Sequence, residues 1–289
     1  MCIRDSRINE GYGLSAEALE ELADAGAQLV ITVDCGISAI REVAFARKRG
    51  IDVIITDHHE PGDTLPEATY LLNPKLDACS FGYKNLAGVG VAFKLVWSMG
   101  QQISDSQRVS SQFKDLLMEA LSLVAIGAVA DVVPLRDENR ILVHYGLKTA
   151  RAANRPGLSA LLNAARVDAQ YLNATDIAFR VAPLLNAAGR MGKADAAVEL
   201  LTTSDPGEAE RLADLLVKQN RLRRRVQSKT LEQARTLLAQ RDPLLERNCI
   251  VLAAPDWHQG VVGLVASRLA EKFLRPAFVF TTDGEMARG

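Results

Sequence analysis

Two short apolar runs, Leu29-Val30-Ile31-Thr32-Val33 and Asp52-Val53-Ile54-Ile55-Thr56, set the reading of the first half of the chain. Both are rich in β-branched residues, as buried strands are. Ser38 to Arg49 lies between them and reads as a helix closed by Gly50, and Ser15 to Ala25 as another with Ser15 as N-cap. Strand, helix, strand is a βαβ unit with a right-handed crossover and two neighbouring parallel strands. Tyr70-Leu71-Leu72 then runs into Asn73-Pro74, which must turn. Asn85 to Met99 carries a glycine-punctuated helix start. Phe113 to Ala130 is a strongly apolar helix that leads into Asp131-Val132-Val133-Pro134. Pro156 to Ala165 and Ala174 to Phe179 read as shorter helices.

Beyond Met191 the character changes. Asp205-Pro206-Gly207 punctuates, and Glu208 to about Ala239 is one polar, helix-favouring stretch without glycine or proline. A helix of about 30 residues spans roughly 45 Å, which suits a connector between domains. Cys249-Ile250-Val251-Leu252-Ala253 and Ala277-Phe278-Val279-Phe280 read as strands flanking a helix from Val261 to Lys272. The expected fold class is therefore α/β: a parallel-sheet domain joined by a long helix to a second, truncated α/β domain.

Composition narrows the function classes. The 289 residues are 48% hydrophobic and 24% charged, an ordinary globular balance long enough for two domains. No apolar run approaches the roughly 18 residues that span a bilayer. Cys2, Cys35, Cys79 and Cys249 are scattered without a Cys-x-x-Cys pair. That argues against a zinc ribbon or a disulfide framework and fits a reducing cytoplasm. A net charge of −1 gives no global signal for nucleic acid, so a polyanion would need a local patch.

The chemistry sits at the strand ends. The first run ends in Asp34-Cys35-Gly36 and the second in Asp57-His58-His59, which takes two of the chain's four histidines. In a parallel sheet the carboxyl ends of the strands form the ligand crevice, so these groups converge. Asp34, Asp57, His58, His59 and Asp131 form a mixed carboxylate and imidazole set suited to Mn²⁺ or Mg²⁺. Two such ions about 3.5–4 Å apart support in-line attack of water on phosphorus. Taken singly, a strand-end histidine is more often a satisfied polar side chain, and Asp131 equally fits a turn cap after its helix.

Val33-Asp34-Cys35-Gly36, Thr56-Asp57-His58-His59-Glu60-Pro61, Leu86 to Lys94 and Ala130-Asp131-Val132-Val133-Pro134-Leu135 resemble successive motifs of the DHH phosphoesterases. Leu185-Asn186-Ala187-Ala188-Gly189-Arg190-Met191, Trp257-His258-Gln259-Gly260-Val261-Val262-Gly263 and Arg7 to Leu14 resemble further stretches of the RecJ family of single-strand-specific exonucleases within that superfamily. The likeness covers Arg7 to Arg288. It implies a DHH phosphoesterase domain over 7–203, a connecting helix over 204–247 and the start of an accessory domain over 248–289. It also implies metal-dependent 5′-to-3′ hydrolysis of single-stranded DNA in repair and recombination. Asp34 would bridge two metals, with His58 and Asp131 as further ligands. His59 would act on the scissile phosphate, and Asp57 would orient the histidines. Arg7, Arg190, Asn186 and His258 would contact phosphates or nucleic acid. Single-stranded DNA, a helicase and a single-strand-binding protein are the implied partners of a monomer.

One departure stands out. The family's first motif, Asp-x-Asp, has no counterpart before Asp34: Asp5 lies in Met1 to Ser6, which resembles an adapter scar, and Asp24 lies within a helix. The chain therefore reads as an internal fragment, expected to bind metal weakly and to have little activity as it stands. Rival readings are a DHH phosphodiesterase of nanoRNA or cyclic dinucleotides, a pyrophosphatase, and a catalytically silent replication scaffold. The Leu185 to Met191 stretch and the long connector favour the exonuclease over the first, and the extended Asp131 to Arg190 segment disfavours the second. The intact acids and histidines argue against the third. Among smaller signals, Gly88 and Gly90 fit either phosphate approach to a helix N-terminus or tight packing. The Arg221–Arg225 cluster reads as a solvated helix face, with nucleic-acid backbone as the rival. His144 reads as structural, and Tyr12 as a stacking or core residue.

Overall fold

A computed structural model describes residues 13–104, 107–152, 155–192, 194–240, 248–284 and 286–289. Arg7, Tyr12 and the Met1 to Ser6 stretch lie outside the described residues. The β-branched runs become strands β1 (Leu29–Val33) and β2 (Asp52–Thr56), and β3 (Tyr70–Leu72) follows. All three are parallel in the order β1-β2-β3, with Val33 opposite Thr56 and Thr56 opposite Leu72. Their carboxyl ends are therefore level.

Helix α1 (Ala16–Asp24) starts where the Ser15 hydroxyl accepts the Ala18 N–H at 3.1 Å. Helix α2 (Ile40–Lys48) starts two residues after Ser38, which does not cap it. Leu19 of α1, Val43 and Ala46 of α2, and Val53 and Ile55 of β2 make one core cluster with Ile51. Burying each of its leucine, valine and isoleucine side chains contributes about 1.5–3 kcal/mol, so this cluster fixes the register of the sheet.

Helices α3 (Gly88–Ile103), α4 (Ser111–Ala130) and α5 (Asp137–Ala152) follow. Val91, Phe93, Leu117, Leu121, Val124 and Leu142 form their shared core with Leu86. Helix α6 (Pro156–Ala164) begins with proline in its first turn, where the missing N–H costs nothing. Helix α7 is a single turn (Ala174–Asp176) capped by Asn173. It passes into a π-helical turn over Ile177–Val181, where a regular helix to Phe179 is expected from the sequence.

The chain divides into two compact units, with Glu10–Ala182 in one and Pro183–Gly289 in the other. The division falls within helix α8 (Ala182–Arg190). Helix α9 (Asp195–Thr202) precedes α10 (Pro206–Ala239), whose 34 residues span about 51 Å. Asp205 caps it, accepting the Glu208 N–H at 2.6 Å. Strand β4 (Ile250–Ala254), helix α11 (Gln259–Phe273), β5 (Ala277–Asp283) and β6 (Met286–Arg288) complete the second unit. β4 and β5 are parallel, and β6 returns antiparallel. Leu231 and Ala234 of α10 pack with Trp257, Val262, Val265 and Leu269 over this sheet. No helix among the described residues is long and apolar enough to cross a membrane. Cys35, Cys79 and Cys249 carry free thiols.

Candidate metal centre

Strands β1 and β2 each run on into a polar residue held by one further ladder bond. The Asp34 N–H donates to Thr56 O at 2.9 Å, and the Asp57 N–H to Leu72 O at 3.0 Å. Asp34 then leaves the sheet in the left-handed region, at φ 64°. Aspartate tolerates that conformation better than most side chains. Gly36 follows at φ 110°, a conformation that a side chain resists. This turn aims Asp34 back over the sheet end.

Asp57 is 1% exposed and fully engaged. One carboxylate oxygen accepts the Ile37 N–H at 2.9 Å. The other accepts the His58 N–H at 2.7 Å and the His59 N–H at 3.2 Å, and lies 2.7 Å from His59 Nδ1. Burial alone would raise this carboxyl. The Ile37 N–H, the His59 ring and the two histidine N–H groups outweigh it and hold Asp57 below its ordinary value. With Nδ1–H donating to Asp57, a neutral His59 ring has its lone pair on Nε2. Asn73 adds a second hold, its Nδ2 donating to His59 O at 2.9 Å.

His58 Nε2 lies 3.0 Å from Asp34 Oδ1 and 3.3 Å from Asp131 Oδ2. Asp131 is the C-cap of α4, so the apolar helix delivers its carboxylate to the ends of β1 and β2. One ligand atom each of Asp34, His58 and His59 lie within 4.8 Å of one another. The structure thus brings Asp34, Asp57, His58, His59 and Asp131 together, as the sequence predicts. The Asp34 carboxylate holds the His58 imidazole above its ordinary value against the opposing effect of burial, and the Asp131 charge adds to it. Burial raises Asp131, with the Asp34 charge adding and His58 opposing. His58 Nε2 is nevertheless buried without a hydrogen bond of good direction. An undirected imidazole nitrogen facing two carboxylates fits a divalent cation bound by nitrogen and oxygen.

Two supporting residues, Asn73 and Asn139, escape a sequence reading, and the structure decides between the two readings of Gly88 and Gly90. Gly88 opens α3 directly against Asp34: a Cβ there would stand 2.8 Å from Asp34 Cγ and closer still to Oδ1. Gly90 is likewise packed, against Leu86. Both glycines therefore serve close packing. Asn139 is 0% exposed. Its Nδ2 lies 2.7 Å from Asn85 O, 3.1 Å from Pro134 O and 3.2 Å from Tyr83 Oη, its two N–H groups shared among the three, while its Oδ1 accepts the Ala87 N–H at 3.3 Å. It ties the segment before Gly88 to the segment after Asp131. Asn73 could have been found, since it repeats the pattern of a polar residue closing an apolar run. Asn139 sits in the polar stretch Asp137-Glu138-Asn139-Arg140 and gives no such signal.

Asn186, Arg190 and His258 belong to the second unit. Asn186 is exposed, one turn before Arg190 on α8. Arg190 Nη1 donates to Gly260 O at 3.4 Å. His258 is the N-cap of α11, its Nδ1 accepting the Gly260 N–H at 3.0 Å. Arg190 and His258 thus meet at the first turn of α11. Within the Arg221–Arg225 cluster, Arg221, Arg224 and Arg225 are exposed while Arg223 is partly buried, which departs from a fully solvated face.

Two acids and two histidines at the carboxyl edge of a parallel sheet make a candidate centre for a divalent cation, and the first part of the chain is similar to the DHH family. Residues 3–127 match the description "DHH family, N-terminal domain". Within that family the chain is similar to the single-stranded-DNA-specific exonuclease RecJ. It is 44% identical to the Escherichia coli protein over 289 residues, covering 97% of this chain and 49% of that one. With the Bacillus subtilis protein it shares 42% identity over 279 residues, covering 96% of this chain and 34% of that one. A crystal structure of exonuclease RecJ bound to manganese superposes with a TM-score of 0.80 at 38% identity, covering 94% of this chain and 66% of that one. The chain spans between a third and a half of the length of these two curated relatives.

Proposed function

We propose that this chain forms the nuclease part of a metal-dependent exonuclease that hydrolyses phosphodiester bonds of single-stranded DNA from the 5′ end. The observation that carries the proposal is the convergence of Asp34 and Asp131 on His58 Nε2, beside a His59 ring held by Asp57. Its likeness to manganese-bound RecJ supports Mn²⁺ or Mg²⁺ as the ion. A bound divalent ion supplies Lewis-acid activation of water and of the phosphoryl oxygens. Asp34, His58 and Asp131 are the residues of this chain that would hold such an ion.

His59 acts on the phosphate through Nε2, because Asp57 already engages Nδ1. Asp57 keeps the loop of both histidines in place through three backbone N–H groups and is a positioning residue. Arg190, Asn186 and His258 bind the strand, and Arg7 its 5′ phosphate. On this reading the protein works in the cytoplasm, in repair and recombination, as a monomer. A helicase and a single-strand-binding protein supply its substrate.

The test uses the product of the complete gene on a 3′-labelled, 5′-phosphorylated single strand with Mn²⁺, beside a duplex and an Asp34→Ala variant. Stepwise loss of the single strand alone, abolished in the variant, is expected. Equal loss of duplex, or undiminished activity in the variant, contradicts the proposal.

A further inference from the structure

Helix α10 buries Ala209, Leu212, Ala213 and Leu216 near its start, and Leu231 and Ala234 near its end. Between them the buried positions are polar: Gln219, Asn220, Gln227 and Thr230. For about three turns the buried stripe of this helix is thus amide and hydroxyl where an apolar stripe is the rule.

Arg223 lies on the same stretch. Its Nε and Nη2 donate to Asn220 Oδ1 at 3.2 and 3.0 Å, and its Nη1 to Gln227 Oε1 at 3.3 Å. Both partners are neutral amides, so they fix the plane of the guanidinium without cancelling its charge. Three of its five N–H donors are engaged and two remain for a ligand. No carboxylate of the described residues pairs with Arg223, Arg224 or Arg268. Burial pushes the Arg223 guanidinium below its ordinary value, and the like charges of Arg224, Arg190 and Arg268 push the same way. Gln219 is 7% exposed, and its Oε1 has no hydrogen-bond partner. A fixed, partly dehydrated cation among further cations costs free energy in isolation, and an anion between them offsets that cost.

We infer that this stretch of α10 is a subsite for the phosphodiester backbone of single-stranded DNA, with Arg223 as its oriented cation and Arg190 and Arg268 adding charge. The identity of the polyanion rests on the proposed function, whereas the subsite rests on the polar stripe and the arginines. A planar guanidinium in a fixed fork suits a phosphodiester better than a mobile ammonium does. Backbone contacts of this kind carry affinity and salt dependence without sequence preference.

The test measures binding of a fluorescently labelled single-stranded oligonucleotide to the 289-residue chain by anisotropy, in EDTA and over a range of salt. Arg223→Gln is expected to weaken binding about tenfold, the cost of a lost charge-assisted bond. The slope of log affinity against log salt should fall by about 0.7 for one lost single-strand phosphate contact. Arg223→Lys should restore the slope but only part of the affinity, an outcome that a merely structural role would not give. Arg268→Gln, at an exposed position, should weaken binding with the same sign, and it decides the matter if Arg223→Gln fails to fold.

Unchanged affinity and slope in both glutamine variants, or no strand binding by the unsubstituted chain, overturns the subsite. Arg223-dependent binding without any Mn²⁺-dependent hydrolysis by the product of the complete gene supports the subsite and contradicts the exonuclease reading. Intact hydrolysis with Arg223-independent binding does the reverse.

Discussion

Gly88 leaves the space that the Asp34 carboxylate occupies: a Cβ at position 88 would stand 2.8 Å from Asp34 Cγ. Gly88→Ala must therefore push Asp34 away from His58 or push α3 off the sheet. Overpacking of this kind costs about 1–3 kcal/mol. The expected result is a lower thermal midpoint and Mn²⁺ affinity reduced about tenfold or more, since displaced ligands weaken a metal site sharply. An unchanged Mn²⁺ titration would show that Asp34 is not a ligand in that position.

Asp57→Asn keeps one acceptor oxygen but loses the charge that four donors share. Activity of the complete protein should fall about 10–100-fold, the usual cost of losing a group that orients a metal-site histidine. Because the folded Asp57 is held below its ordinary value, it contributes stability above the usual carboxylate range. That contribution disappears as pH falls through the lowered folded value. The acid limb of the stability profile should consequently flatten in Asp57→Asn, and identical acid limbs would contradict the assignment.

His58 works in the other direction. Its folded value is raised above 6.5, chiefly by Asp34, so the metal-free protein gains stability that is fully present below that value. The gain is lost as pH rises through the raised folded value. A divalent ion needs the neutral ring, so Mn²⁺ affinity should strengthen over the same interval. Thermal scans and Mn²⁺ titrations across neutral pH read both trends, and His58→Gln should remove them. Mn²⁺ affinity that weakens with rising pH would contradict this role.

Asn139→Ala removes the amide of a fully buried side chain and leaves the Ala87 N–H and Asn85 O without it, while Tyr83 Oη still donates to Pro134 O. Each unsatisfied buried group costs about 1–3 kcal/mol, so a large fall in stability is expected. Hydrogen exchange should quicken at Ala87 and its neighbours and in the loop after Asp131 ahead of the rest of the first unit. Uniform exchange throughout would place Asn139 in general packing instead.

The strands and their acidic ends were legible because the signals are local: β-branched runs, then an acid, in a parallel βαβ order. The long helix was legible because 208–239 lacks glycine and proline. Helix α5 was not, since its first turn is all charged or amide and Gly146 interrupts it. Asp131 taken alone fits a turn cap as well as a ligand until α4 carries it to His58, and Gly88 fits phosphate approach as well as tight packing until Asp34 packs on it. Those roles arise from contacts between residues far apart in sequence, which spacing does not encode. Arg223 differs from Arg221, Arg224 and Arg225 only in the face of the helix it occupies.

Mn²⁺ binding followed by electron paramagnetic resonance tests the metal centre most directly, using the product of the complete gene and its Asp34→Ala, His58→Ala and Asp131→Ala variants. A bound-ion signal is expected whose affinity drops in each variant while the thermal midpoint shows the fold retained. Mn²⁺ affinity unchanged in all three variants would contradict it.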